Sequence, residues 1–195
     1  MKTDIILAGV GGQGILSIAA TIGTAAINND LHLKQAEVHG MSQRGGAVQS
    51  HLRVSSKPIA SDLIPKGACD IILSVEPMES LRYLDFLSKD GWIITNSTPF
   101  INITDYPEVE EVLVNIKKRK NSITLDADQL AKEVGSPRSS NIVALGAATP
   151  FIDIPYEAFE EAIRQIFEKK GERIVDANIA ALKAGRAVAD EALKQ

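Results

Sequence analysis

The apolar run at residues 4–9, DIILAG, does not alternate and stops at glycine, which predicts a strand buried on both faces, as in a parallel sheet. Behind it Ile15, Ile18, Ala19, Ile22, Ala25 and Ala26 recur at helical spacing until Asn28 and Asn29 supply stop chemistry. The chain opens as strand, turn and crossover helix. Residues 31–38, LHLKQAEV, give a second strand. In the stretch that follows the period is two: Val48, Leu52 and Val54 point one way, and Gln49, His51 and Arg53 the other. That strand has one wet face, or one face reserved for a polar partner. CDIILSV (69–75) repeats the first strand's pattern. EPMESLRYLDFL (76–87) then sets Met78, Leu81, Leu84 and Leu87 at helical spacing behind a proline suited to a first turn.

DGWIITN (90–96) and SITLDA (122–127) read as further strands, and YPEVEEVLVNIKKRK and DADQLAKEV as helices, with Asp126 or Asp128 as caps. The alternation of strand and helix lasts to about residue 135, and the rest is helical. In the last helix Ile174, Asn178, Ala181, Leu182, Gly185, Val188 and Ala192 form one stripe of mostly small residues, which implies a close helix contact with Asn178 as its polar exception. The expected fold is α/β: a Rossmann-like three-layer sandwich with a mainly parallel sheet, a glycine loop at a strand's carboxyl end and a helical C-terminal segment.

Composition narrows the function. With 195 residues and 45% hydrophobic content, residues 1–195 are expected to form a single domain. A net charge of -4 and a pI near 5.4 argue against a nucleic-acid partner. One cysteine, Cys69, cannot form an internal disulfide or hold a metal cluster by itself, so no metal site is expected on this chain. The N-terminal apolar stretch is too short for a signal peptide and no run is long enough to span a membrane, so a soluble cytoplasmic protein is expected.

Candidate chemistry sits in three places. Gly9, Gly11 and Gly14 spell G-x-G-x-x-G after the first strand, with Gly12 and Gln13 inside the loop. Such a loop serves a tight turn, close helix packing, or approach to a phosphate or another subunit. Glu37 stands 23 residues beyond Gly14, where a dinucleotide fold carries its ribose-binding acid, though a glutamate there is also an ordinary loop carboxylate. In SQRGG (Ser42, Gln43, Arg44, Gly45, Gly46) a guanidinium is set among glycines with little steric cover; it forks onto an anion or stays a solvated turn residue paired with a carboxylate such as Glu37. His39 and His51 lack the companions of a metal site. Asn141, opening NIVALGA, has its simplest use at a helix start. No side chain stands in a recognisable nucleophile setting, so no catalytic residue is assigned.

GVGGQGI at 9–15, GMSQRGGAVQSHLR at 40–53 and NIVALGA at 141–147, in that order, resemble the gamma-type domain of the 2-oxoacid:ferredoxin oxidoreductases over nearly the whole chain. The resemblance implies a small subunit of an enzyme that converts an aryl 2-oxoacid, coenzyme A and oxidised ferredoxin to an acyl-coenzyme A, carbon dioxide and reduced ferredoxin. It implies that this chain binds no cofactor alone, and that thiamine diphosphate and iron-sulfur clusters belong to a large partner subunit. It also groups Gly9, Gly11, Gly12, Gln13, Gly14, Ser42 to Gly46 and Asn141 as candidates for contact with coenzyme A or a shared cofactor. The alternative is a stand-alone NAD(P)- or nucleotide-binding oxidoreductase or sensor.

Overall fold

The computed structural model describes residues 1–39, 45–101 and 103–194, with the backbone alone at His39. Among these, six strands form one sheet in the order β2-β3-β1-β4-β5-β6. They are β1 (Lys2–Val10), β2 (His32–His39), β3 (Ala47–Ser55), β4 (Cys69–Ser74), β5 (Leu87–Asn96) and β6 (Ser122–Leu125). The pairings β1/β4, β4/β5 and β5/β6 are parallel, whereas β3 runs antiparallel to both β1 and β2. The sheet is mainly parallel, as expected, with an antiparallel hairpin added beside β1. Ile5, Ile6, Leu7 and Ala8 are fully buried, because β1 lies between β3 and β4 and is covered on both faces.

Helices α1 (Ile15–Ile27), α4 (Ala127–Glu133), α5 (Ser140–Ala148), α6 (Tyr156–Phe167) and α7 (Glu172–Ala192) share the larger core on one face. On the other face α2 (Pro77–Arg82), a 3-10 turn at Leu84–Phe86 and α3 (Val109–Lys117) cover two smaller clusters. The helix expected over 76–87 ends early: regular α structure stops at Arg82, and Leu87 already begins β5.

The polar face of β3 is reserved for polar partners inside the protein. Arg53 donates to both carboxylate oxygens of fully buried Asp4 at 2.8 and 3.0 Å, and its guanidinium also holds the carbonyls of Ser61 and Leu63. His51 Nδ1 accepts the Ile64 N–H at 3.1 Å. The segment after β3 is thus folded back over that face.

The contact between α5 and α7 is as close as the small-residue stripe implies. A Cβ on Gly185 would stand 1.8 Å from the Val143 carbonyl oxygen, and one on Gly146 would stand 2.1 Å from that of Leu182. Asn178, the polar exception, accepts from the Ser139 hydroxyl at 3.0 Å and donates to the Ile174 carbonyl. No described helix is long and apolar enough to cross a membrane.

Candidate functional site

The strand order reverses at β1, with β3 on one side and β4 on the other, so the crevice outside the carboxyl end of β1 is the place where this architecture holds ligands. The glycine loop occupies it. Gly9 is required by packing, since a Cβ would lie 2.5 Å from Val75 Cγ2. Gly14 is the N-cap of α1 at φ 82°, and a Cβ there would meet the Asn141 amide nitrogen at 2.6 Å. Gly12, at φ 101°, faces open space. Gln13 turns inward: Oε1 accepts from Val10 N at 2.8 Å and Nε2 donates to the Val75 carbonyl at 3.3 Å. Both ends of its amide therefore brace the loop against β1 and the end of β4.

Gly45 and Gly46 lie against this loop. Gly11 N donates to the Gly46 carbonyl at 2.8 Å, because β3 starts where antiparallel β1 ends, Ala47 facing Val10. The glycine loop and Gly45–Gly46 are thus brought together at the end of β1. Ser42, Gln43 and Arg44 lie outside the described residues. Asn141 joins the loop from α5, donating its side-chain amide to the Gly14 carbonyl at 3.0 Å. Sequence-distant Gly14 and Asn141 are thereby brought into one site.

Glu37 does not reach it as a ribose-binding acid would. In a dinucleotide fold that acid ends the strand next to β1. Here Glu37 faces Ser50 of β3, and Ser50 in turn faces Leu7 of β1, so a whole strand intervenes. The inserted hairpin removes the match that the spacing suggests.

Beyond the glycine loop opens a cleft of about 940 Å³, walled by the starts of α1 and α5 and by the segment leading into α7. Its lining includes Arg138, Lys170 and Arg173, with no aspartate or glutamate among the described lining residues. The first turns of α1 and α5 add partial positive charge, and neither helix has a side-chain cap on its leading N–H groups. Ser139 and Asn178 are committed to each other and form a rigid floor. Such a lining suits an anion with several acceptor oxygens, above all a phosphate. The cations escaped the sequence reading because Arg138 is far along the chain from Lys170 and Arg173, although PRSSN at 137–141, an arginine and two serines at a helix start, was a usable signal.

Iron-sulfur ligation does not fit this chain. Cys69 is buried, its thiol faces the carbonyls of Asp4 and Ile71, and burial pushes its pKa up to about 12, so it holds its proton. No group of three or more metal-ligating side chains is assembled among the described residues.

Residues 4–188 match the pyruvate ferredoxin/flavodoxin oxidoreductase family. The chain belongs to that family. The chain is 37% identical to the indolepyruvate oxidoreductase subunit IorB of Archaeoglobus fulgidus, over 95% of this chain and 94% of that one. Among solved structures, the gamma subunit of a keto/oxoacid ferredoxin oxidoreductase from Geobacter sulfurreducens superposes with a TM-score of 0.69 at 25% identity, covering 97% of this chain and 99% of that one. A 2-oxoglutarate:ferredoxin oxidoreductase from Magnetococcus marinus, solved with 2-oxoglutarate, coenzyme A and succinyl-CoA, shares the fold with a TM-score of 0.76 at 23% identity. There the alignment covers 97% of this chain but 31% of the other, so this chain spans about a third of that longer one. The protein is an oxidoreductase subunit of this family.

Proposed function

We propose that this chain, as a single gamma-type domain, is the small subunit of a cytoplasmic, thiamine-dependent indolepyruvate:ferredoxin oxidoreductase. It works with a large subunit that carries thiamine diphosphate and the iron-sulfur clusters. The observation that carries the substrate is the 37% identity, nearly end to end, to a subunit of an indolepyruvate oxidoreductase. The division of labour is supported by the chain's own chemistry, since its one cysteine is buried and protonated.

This chain's part is to hold coenzyme A. The glycine loop (Gly9, Gly11, Gly12, Gln13, Gly14), Gly45, Gly46 and Asn141 shape the crevice, and Ser42, Gln43 and Arg44, which directly precede Gly45 in the sequence, are further contacts in this reading. The α1 and α5 N-termini with Arg138, Lys170 and Arg173 supply the positive lining for its phosphates. Coenzyme A is thereby oriented toward chemistry performed on the partner. Ferredoxin takes up the electrons through the complex, and nothing in this chain's described residues moves a proton or an electron pair.

Reconstitution of the two subunits tests this reading. The complex should reduce ferredoxin in the presence of indolepyruvate and coenzyme A, and neither chain should do so alone. An Arg138→Ala/Arg173→Ala pair should raise the KM for coenzyme A by roughly tenfold or more with little change in kcat, since a charge-assisted hydrogen bond contributes about 1.5–3 kcal/mol. Turnover by the isolated chain, or a complex indifferent to indolepyruvate, would refute the assignment.

A further inference from the structure

We propose that the cationic surface at the amino ends of β5 and β6, carried by Lys89, Lys118, Arg119 and Lys120, is where ferredoxin docks on the complex. This rests on the functional reading above and names the place where that reading's electron acceptor is held. The four side chains come from two segments. Lys118, Arg119 and Lys120 follow directly on α3, and Lys89 stands near the start of β5. Two adjoining hollows make them one surface: Lys118 and Arg119 line the first, Lys89, Arg119 and Lys120 line the second, and Arg119 and Leu84 line both. The backbone beneath is tied down. Asn121 donates its side-chain amide to the Asp90 carbonyl at 3.0 Å, and the Ser122 hydroxyl donates to the Arg119 carbonyl at 3.1 Å, closing the turn between α3 and β6.

The charge here is not spent inside the chain. All four residues are exposed, and among the described residues none of the four is in an ion pair. Asp90 is the one carboxylate among the described residues that line the two hollows. A lysine at a helix C-terminus complements the helix dipole, which accounts for Lys118. It does not account for Lys89, which comes from a strand and meets Arg119 and Lys120 across the second hollow. On a chain of net charge -4, such a concentration of unpaired cations selects an anionic partner.

The occupant follows from the kind of contact these groups can make. Three of the four are lysines, whose ammonium groups are strongly hydrated, and lysine is depleted from the dry cores of permanent interfaces. A wet cationic surface serves a brief encounter steered by charge, the kind by which electron carriers dock. In the reading above the large subunit stays bound through turnover, whereas ferredoxin has to arrive and leave with each transfer. Its metal centre is anionic, because sulfides and cysteine thiolates outweigh the charge on the iron. The position agrees with this use. Since β5 and β6 run parallel to β1 through β4, the surface lies at the end of the sheet opposite the cleft, and ferredoxin can occupy it while coenzyme A is bound.

The test is steady-state turnover of the reconstituted complex with two electron acceptors, ferredoxin and methyl viologen, a small cationic dye that needs no acidic docking site. An Arg119→Glu/Lys120→Glu pair should raise the KM for ferredoxin by roughly tenfold or more at low salt. Added salt should raise that KM steeply in the wild-type complex and only weakly in the variant. The rate with methyl viologen and the KM for coenzyme A should stay as in wild type. Lys89→Gln/Lys120→Gln, which removes charge without reversing it, should give a smaller rise of the same kind. Lys57→Glu/Lys194→Glu makes the same change in net charge at exposed sites elsewhere and should leave the KM for ferredoxin unaltered. A wild-type KM for ferredoxin in the Arg119→Glu/Lys120→Glu complex overturns the proposal, and so does an equal rise in the Lys57→Glu/Lys194→Glu control. A loss of turnover with methyl viologen as well would make the surface a permanent subunit contact, which also overturns it. Failure of the wild-type complex to reduce ferredoxin at all would instead sink the functional reading, and the docking surface with it.

Discussion

At the residue scale, the polar side chains do more bracing than binding. Gln13 looks like a ligand contact in the sequence, yet its amide is spent on Val10 and Val75, while Gly14 and Asn141 are fitted to each other. His51 shows the same economy, with measurable consequences. Burial lowers its pKa below the ordinary 6.5, the nearby Arg53 charge lowers it further, and Asp62 opposes both. The folded protein therefore binds fewer protons at this site than the unfolded chain does, and stability rises with pH. The contribution is present in full above the unfolded pKa and is lost as pH falls below it, where protonated Nδ1 can no longer accept the Ile64 N–H. Urea midpoints measured from pH 7.5 down to 5 should fall for wild type, and less steeply for His51→Gln. Parallel slopes for the two proteins would show that His51 is not a source of the dependence.

At the element scale, helix–helix distance is set by two glycines. Gly185→Ala should destabilise the protein by about 3 kcal/mol or more, since the methyl group would enter the Val143 carbonyl and force α5 and α7 apart. For a chain of this size that is a fall in Tm of about 6–12 °C, readable by calorimetry; an unchanged Tm would mean that the two helices can separate freely. This contact was legible in the stripe of small residues, and most of the strands and helices were legible in hydrophobic period, whereas β2, which buries no described side chain, was legible only from its length and position and the helix over 76–87 was read too long. Strand direction was not. The alternation in Val48–Val54 marks a strand with two unlike faces, but its antiparallel placement against β1 depends on pairing between residues about 45 positions apart, which leaves no local trace. The basic cleft was hidden for the same reason: each of its cations reads as an ordinary surface charge until α7 folds back beside α5.

At the scale of the whole molecule, the inserted hairpin decides what the glycine loop is for. With β3 between Glu37 and β1, Glu37 is not the neighbouring acid of a dinucleotide site. Calorimetric titration with NAD(H), NADP(H) and ATP should accordingly show no tight binding, and micromolar binding of any of them, weakened in Glu37→Ala, would restore the dinucleotide reading. The cleft beside that loop carries a different consequence. Its lining comes from Gly12–Ser17 at the start of the chain, from Gly135–Ile142, and from residues between Phe167 and Asn178 close to the end. The glycine loop by itself makes no cleft, which exists only when α7 is docked beside α5. Whatever binds there stabilises the docked arrangement alone, so a bound ligand ties α7 to the rest of the fold and slows its local opening.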